Sequence, residues 1–495
     1  MNIGCIYTLT KDYAKVSKPL SKLSDIHLGI SIIATILKNS NYDVNLFVIC
    51  PDTPLETTLG NYIRTRQPKL FCLTAISSQI HLIEKIARFV KKTDPNIFTV
   101  LGGCHASLAP DEAIQSPYLD AICIGEGEVA IKELASQIEE KEEKITGISN
   151  LWIKDKNTGL VEKNNLIPFY QELENLPYID RTLWDSWIEN RQDEVSILVG
   201  RGCPYKCTYC ANHALSRLTN GKYVRYRTSD DVIGEIEYVC KQYPKIKHIN
   251  LEIETIGASI VKALDFFQAI AEYNCKRQDK LSFSVNLTVH SNLMRNKEKI
   301  IQFLDFCRKA NVIRLRIGLE SGSEKIRREV LRRPKYTNKE LIEFSLLAKD
   351  FGIEIILFVM VGIAGETPKD FSETIQVVRK IQPGYVYLAI FYPYFGTDLY
   401  NFSKKRGYIS GFELPIKAER SKSILKMPAF SKRRIRLEYL LFWYKAFKGV
   451  WPFYRILSYM IYAYLKPYPK INRVYRDFIN KSKALSYLKD KEHQI

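Results

Sequence analysis

No stretch of the 495-residue sequence reads as a clean membrane span. The best apolar and aromatic run, 449–465, is barely long enough and is broken by Pro452 and Arg455, so a transmembrane helix is not expected. Residues 1–10 lack a charged region followed by a long apolar core. No signal peptide is expected there, and the segment reads as a first strand. Cysteine does not form an even framework. The eleven are an odd number and scattered, apart from three in one short run, which argues against a disulfide scaffold and for a reducing cytosol. Acidic residues are scarce at the end of the chain, where residues 401–495 hold 22 Lys and Arg against 6 Asp and Glu. They carry +16 of the net +19, so any basic partner surface belongs to this tail rather than to the nearly neutral body.

What is present is ordinary for a globular protein, 46% apolar and 26% charged, with length for two to four domains. Residues 1–144 alternate short apolar runs with amphipathic patterns. Strands are expected at 3–7, 44–50, 70–75, 98–101 and 121–124, and helices at 28–39, 80–92 and 129–140. Such alternation predicts a Rossmann-like, doubly wound parallel sheet, whose ligands lie at the strand carboxyl ends. Gly102-Gly103-Cys104-His105 and Gly125-Glu126-Gly127-Glu128 fall there. Glycine lets a backbone approach a bulky ligand, although tight strand–helix turns also need it. After a charged break at 139–144, residues 145–190 read as a connector, with a turn at Asn157-Thr158-Gly159 and no expected catalytic part.

From residue 191 the alternation restarts and runs to 400. Six strands are expected at 195–199, 246–252, 281–287, 312–319, 353–361 and 384–391, too few for an eight-stranded barrel but suited to a partial (β/α)6 TIM-type one. Thr337 with Glu340 forms a capping box, and Thr367-Pro368 an N-cap followed by proline at the first helical position. The first strand runs straight into Gly200-Arg201-Gly202-Cys203-Pro204-Tyr205-Lys206-Cys207-Thr208-Tyr209-Cys210. Cys203, Cys207 and Cys210 can hold three irons of a 4Fe-4S cluster and leave the fourth without a protein ligand, open to substrate. The alternatives are a zinc site completed by His213, or buried free thiols. Gly318-Leu319-Glu320-Ser321-Gly322 closes the fourth strand and a glycine-rich turn, 360–367, the fifth. Each alone could be a tight turn.

Together, the C-x3-C-x2-C run, the aromatic Tyr209 before its last cysteine and the ordered strand-end motifs resemble the radical S-adenosylmethionine (radical SAM) superfamily over 190–400. The resemblance implies that Cys203, Cys207 and Cys210 hold a 4Fe-4S cluster and that its open iron chelates S-adenosylmethionine. One-electron reduction then yields a 5′-deoxyadenosyl radical, with a flavodoxin or ferredoxin as low-potential donor. It also implies that Tyr209 presents its backbone to the adenine, that Glu320 and Ser321 contact ribose and methionine, and that Gly362 and Gly365 run beside the adenine. The acidic element for the methionine amino group reads Glu252-Ile253-Glu254, and Glu254 is assigned to it. Relatives often carry two adjacent acids there.

The N-terminal motifs, the connector 173–185 and Tyr392-Pro393-Tyr394-Phe395-Gly396-Thr397 are similar to those of the cobalamin-binding branch, with Phe395 in place of the usual proline. That resemblance implies cobalamin lined by Gly102, Gly103, His105, Gly125, Glu126 and Gly127. His27, in Asp25-Ile26-His27-Leu28-Gly29, superficially matches a cobalt-ligating element but is one residue short, and reads as structural. Methylthiotransferases join similar domains but bind a second cluster through three N-terminal cysteines. Cys5, Cys50 and Cys72 have loosely similar spacing, yet Cys50 and Cys72 sit in or at the end of apolar runs, as buried free cysteines do.

The resulting expectation is a cobalamin-dependent radical SAM enzyme, most often a methyltransferase acting on an unactivated carbon of a small-molecule or lipid substrate. Ring formation or rearrangement, methylthiolation with a second cluster, and a sensor without turnover are the alternatives. The tail, 401–495, reads as a helical extension in which basic residues alternate with aromatics. It would cap the barrel, touch anionic lipid in a peripheral way, or bind nucleic acid, the last being least expected. The expected location is cytoplasmic, with contact at the inner face of the membrane if the tail binds lipid.

Overall fold

Apolar runs bounded by turn residues become strands throughout the chain. The computed structural model describes residues 1–10, 15–141, 144–409 and 419–468, with 471 and 475. Contacts divide it into two units, one of 1–196 with 211–228 and one of 197–210 with 229–495.

The first unit holds β1 (Asn2–Thr8), β2 (Leu20–Leu23), β3 (Asp43–Ile49), β4 (Leu70–Thr74), β5 (Phe98–Gly102), β6 (Ala121–Cys123), β7 (Leu151–Lys154) and β8 (Val161–Lys163). A sheet runs in the order β3-β1-β4-β5-β6-β7-β8. Its first five members pair in parallel, and β4 is buried at every position, as a strand covered on both faces must be. The helices Leu28–Asn39, Ile80–Thr93 and Glu128–Glu139 follow as the periodicity predicts. The sheet is mixed rather than purely parallel, because β7 and β8 add an antiparallel hairpin from the segment expected as a connector. Asp155 builds its turn by accepting the N–H groups of Asn157 and Thr158, each at 2.9 Å. Beyond it, Trp184 and Arg181 are fully buried, and the Arg181 guanidinium donates to the Ile179 and Ser196 carbonyls. β2 had no sequence signal. It pairs in parallel with β9 (Ile188–Leu198), Leu20 against Ile188 and Leu23 against Val195.

Two-residue strands, β10 (Gly200–Arg201) and β11 (Arg225–Tyr226), flank the cysteine loop in sequence. The second unit then carries β12 (His248–Glu252), β13 (Ser282–Leu287), β14 (Val312–Glu320), β15 (Glu354–Val361) and β16 (Tyr385–Ile390), each parallel to the next. Val199 donates to the Glu252 carbonyl at 2.9 Å, tying the start of the cysteine loop to the carboxyl end of β12. Along β14, Leu315, Ile317 and Leu319 point into the core while Arg314, Arg316, Gly318 and Glu320 share the other face. Both expected caps form, Thr337 with Glu340 and Thr367 with Asp370. The chain is thus an α/β protein with a parallel half-barrel sheet and C-terminal helices. The first tail helix, Lys432–Phe447, packs on the helix Pro368–Ile381 and on β16: Phe442 meets Phe371 at 6.1 Å and Trp443 meets Tyr385 at 6.2 Å between ring centroids. Residues 410–418 and most of those after 468 lie outside the described residues.

Candidate functional site

The cysteine loop leaves β10 through Gly202, whose φ of +90° is open to glycine without strain. It is pinned at its centre. Thr208 donates its N–H to Leu331 O at 3.0 Å and its hydroxyl to Val330 O at 2.7 Å, and its own carbonyl accepts from Leu399 N at 2.8 Å. Burial pushes the Cys203 thiol up to about 12, with Cys207, Cys210 and Glu254 adding to the rise. Burial also raises Cys207, opposed by the Arg333 guanidinium. Three thiols that feel one another in a poorly solvated place become thiolates when positive metal charge is supplied. Among the described residues no three His, Cys, Asp or Glu side chains converge on a single ion. A cubane does not ask for that, since each thiolate binds a different iron. The loop supplies the three thiols that a cluster with three protein ligands needs.

Glu320 closes β14 at a bulge, with φ of +61°, a strained conformation for a residue with a side chain. Burial raises its carboxyl, while the Arg333 charge and the Tyr209 hydroxyl pull it down. Arg333 organises this corner. Its Nη1 donates to the Tyr209 hydroxyl at 3.1 Å and its Nη2 to the Gly318 carbonyl; burial works against its charge, but the acidic groups around it, Glu320 among them, hold it above the ordinary guanidinium value. Ser321 is fully buried. Its hydroxyl accepts from the Ser323 N–H at 3.3 Å and its carbonyl from Arg327 at 2.7 Å. Next to it Gly322 is forced, because a Cβ there would lie 2.4 Å from the Thr374 backbone.

After β15, Gly362 and Gly365 take φ of +78° and +84°. Glu366 holds this turn from within, its Oε2 accepting from Gly362 N at 2.7 Å and Ile363 N at 3.2 Å. Its Oε1 has no partner, and burial raises the carboxyl to about 8. Of the two acids at the end of β12, Glu254, just past it, is exposed and close enough to Cys203 to raise its thiol, whereas Glu252, its last residue, faces Arg316 at 3.5 Å. Cys203, Cys207, Cys210, Tyr209, Glu254 and Glu320 thus come together in the second unit, with Gly362 and Gly365 at the end of the neighbouring strand. Arg333, Arg316 and Glu366 were not anticipated. Arg333 sits in Arg332-Arg333-Pro334-Lys335, which reads as a solvated basic stretch, and only the structure turns it inward.

In the first unit the two glycine loops meet: Gly125 donates its N–H to the Ser107 hydroxyl at 2.9 Å. Gly103, at φ +90°, leaves no room for a Cβ, which would lie 2.7 Å from Thr74 Oγ1. Gly125, at φ +81°, faces open space, and Gly102 would bring a Cβ only into ordinary contact with Cys123. A Cβ on Gly127 would meet Cys123 Sγ at 3.2 Å. His105 is buried, its Nδ1 3.3 Å from the Ser77 hydroxyl and its Nε2 without a partner, and burial lowers its pKa to about 4. A neutral imidazole with one buried open nitrogen, beside backbone that a ligand can approach, fits a corrin or its tail. Glu126 is already engaged. Arg225 grips its carboxylate with Nη1 at 2.8 Å and Nη2 at 2.9 Å, and Tyr170 N donates to it at 2.7 Å. His27 caps the helix Leu28–Asn39 by accepting from Ile30 N at 3.2 Å, a structural role. Cys5 and Cys72 face each other across paired strands in the buried sheet, and Cys50 is buried at the end of β3.

A half-barrel with a three-thiolate loop at one strand end, preceded by a doubly wound domain with a buried open imidazole, defines a two-cofactor redox enzyme class. Two profiles agree: the Radical SAM superfamily matches residues 197–378 and the B12 binding domain matches residues 23–135. The chain belongs to the B12-binding radical SAM enzyme family. Its cofactors are a 4Fe-4S cluster, S-adenosylmethionine and cobalamin. It is 25% identical over 379 residues to an uncharacterized methyltransferase of Pyrococcus horikoshii, covering 76% of this chain and 78% of that one. It is 24% identical over 386 residues to the anaerobic magnesium-protoporphyrin IX monomethyl ester cyclase of Rubrivivax gelatinosus, covering 75% of this chain and 65% of the relative, slightly under two thirds. The cobalamin-dependent S-adenosylmethionine radical enzyme OxsB, solved with aqua-cobalamin and S-adenosylmethionine, shares the fold at a TM-score of 0.68 and 15% identity, over 100% of this chain and 74% of that one.

Proposed function

We propose that this cobalamin-dependent radical SAM enzyme transfers a methyl group to an unactivated carbon of a small-molecule or lipid metabolite. When bound, the cluster and S-adenosylmethionine supply a carbon-centred oxidant, and cobalamin supplies a methyl group. The observation that carries the reading is the grouping of Cys203, Cys207 and Cys210 with the Arg333–Tyr209–Glu320 corner, beside the glycine turn of β15. In this reading the three thiolates hold the cluster, and Arg333 keeps a fixed positive charge beside Cys207. Glu254 meets the methionine amino group, Glu320 and Ser321 meet the ribose and methionine, and Tyr209, Gly362 and Gly365 border the adenine. Gly102, Gly103, His105, Gly125 and Gly127 line cobalamin, while Glu126 shapes their loop through Arg225. A low-potential donor such as flavodoxin or ferredoxin delivers the electron.

The cyclase among the relatives favours one other reading, ring formation or rearrangement without methyl transfer. Methylthiolation with a second cluster is disfavoured by the burial of Cys5, Cys50 and Cys72 within the sheet. Anaerobic incubation of the reconstituted enzyme with metabolite extract and methyl-deuterated S-adenosylmethionine, followed by mass spectrometry, separates them. A product carrying the labelled methyl is expected. A product of unchanged methyl count would replace methyl transfer by rearrangement.

A further inference from the structure

The tail helices Lys432–Phe447 and Phe453–Leu465 form an antiparallel hairpin, as three contacts of decreasing separation show. Arg436 donates to Tyr464 O at 3.1 Å, Trp443 stacks on Tyr459 at 4.5 Å, and Phe447 stacks on Trp451 at 3.7 Å. The second helix buries Ile456, Tyr459 and Ala463. On its other side Phe453, Leu457, Ile461 and Tyr464 recur every three or four residues, one face of a helix, and with Tyr468 just past its end are between 38% and 64% exposed.

Charge supplies the identity of what this face meets. From Glu438 to Asp477 the sequence contains no acidic residue, and Glu438 itself is buried between Arg434 at 2.8 Å and Lys445 at 2.5 Å. The hairpin therefore offers no exposed carboxylate beside the apolar row. Cations flank it instead. Lys448 is exposed at the turn before the second helix, Lys466 lies past its end, and Lys422 Nζ stands 5.7 Å above the Tyr468 ring. The Arg436–Tyr464 contact also brings the exposed Lys432 and Arg433 to that end. A polyanion alone would match the cations and leave the apolar row in water. A bilayer surface of anionic phospholipid satisfies both, with the row among the acyl boundary and the cations at the headgroups. The helix cannot cross: its 13 residues reach only about 20 Å, against a hydrocarbon core of about 30 Å.

We propose that the hairpin 432–465 is an interfacial anchor that docks the enzyme on anionic phospholipid. Sedimentation of the full chain with phosphatidylcholine vesicles, with and without phosphatidylglycerol, tests it. Expected is binding to the anionic vesicles that weakens as salt rises. The triple substitution F453S/L457S/Y464S should lower partitioning at least about tenfold with an unchanged melting temperature, since each apolar group left outside the bilayer forfeits transfer free energy. Lys448→Gln should lower it by about fivefold, the worth of one cation near such a surface. Equal binding to neutral vesicles, or full binding by the triple variant, would overturn the proposal. So would a dimer in light scattering that the triple substitution dissociates, because the row would then belong to a second copy.

Discussion

Glu366 offers a sharp test of how the glycine turn after β15 is held. The side chain is fully buried, two backbone N–H groups bind its Oε2, and Oε1 has no partner. Burial dominates and, with Asp370 nearby, lifts the carboxyl from 4.5 to about 8. A carboxyl held above its unfolded value favours the folded state while protonated, and that contribution is lost as pH rises from about 5 to 8. At 1.36 kcal/mol for each tenfold step, the full displacement from 4.5 to about 8 is roughly 5 kcal/mol. Glu366→Gln keeps an oxygen for both N–H groups and does not ionise. The melting temperature of the variant, relative to the parent, should therefore rise between pH 5 and 8 and level off above, by roughly 10–20 °C at about 2–4 °C per kcal/mol. Differential scanning fluorimetry on anaerobic protein across this range measures it. A difference that is flat with pH, or that falls, would refute the assignment of a buried, uncompensated carboxyl to this turn.

The other predictions concern the two cofactor corners. Arg225→Met strands the Glu126 carboxylate, and thermal or urea unfolding of the N-terminal unit should report a loss of about 3–5 kcal/mol, much of it recovered when Glu126→Leu is added. His105→Ala should weaken cobalamin retention in equilibrium dialysis by about tenfold, the worth of one buried polar contact. Because the ring titrates near 4, retention by the parent should stay flat from pH 6 to 8. Arg333→Met removes the cation beside Cys207, so iron content after anaerobic reconstitution should fall below that of the parent and the cluster's electron paramagnetic resonance signal should change. Arg333→Lys should recover part of both. An unchanged signal in the methionine variant would place Arg333 outside the cluster's surroundings.

The parts of this fold set by local pattern were legible in the sequence. The buried runs of β1, β4 and β5, the alternation along β14 and both threonine caps follow from periodicity and side-chain chemistry within a few residues. The cysteine loop was legible for the same reason, since its chemistry is written in spacing. What escaped depends on distant partners. β2 is four residues with a mixed pattern and becomes a strand only by pairing with β9. The turn at 157–159 was legible, but nothing local says that the strands on either side of it extend the N-terminal sheet. Arg333 looked like surface because its neighbours are basic, and its inward turn depends on acceptors at Gly318 and Tyr209, far away in sequence. Glu126 shows the reverse. Its motif suggested a ligand contact, while its oxygens are taken by Arg225, 99 residues away.

The central claim is that one cluster and one cobalamin serve this chain. Anaerobic reconstitution of the full chain, with iron and corrin quantified on the same sample, tests it most directly. About four irons and one cobalamin per chain are expected, with the iron lost in Cys207→Ala and the cobalamin retained. About eight irons and no cobalamin would contradict it and move the protein to the two-cluster class.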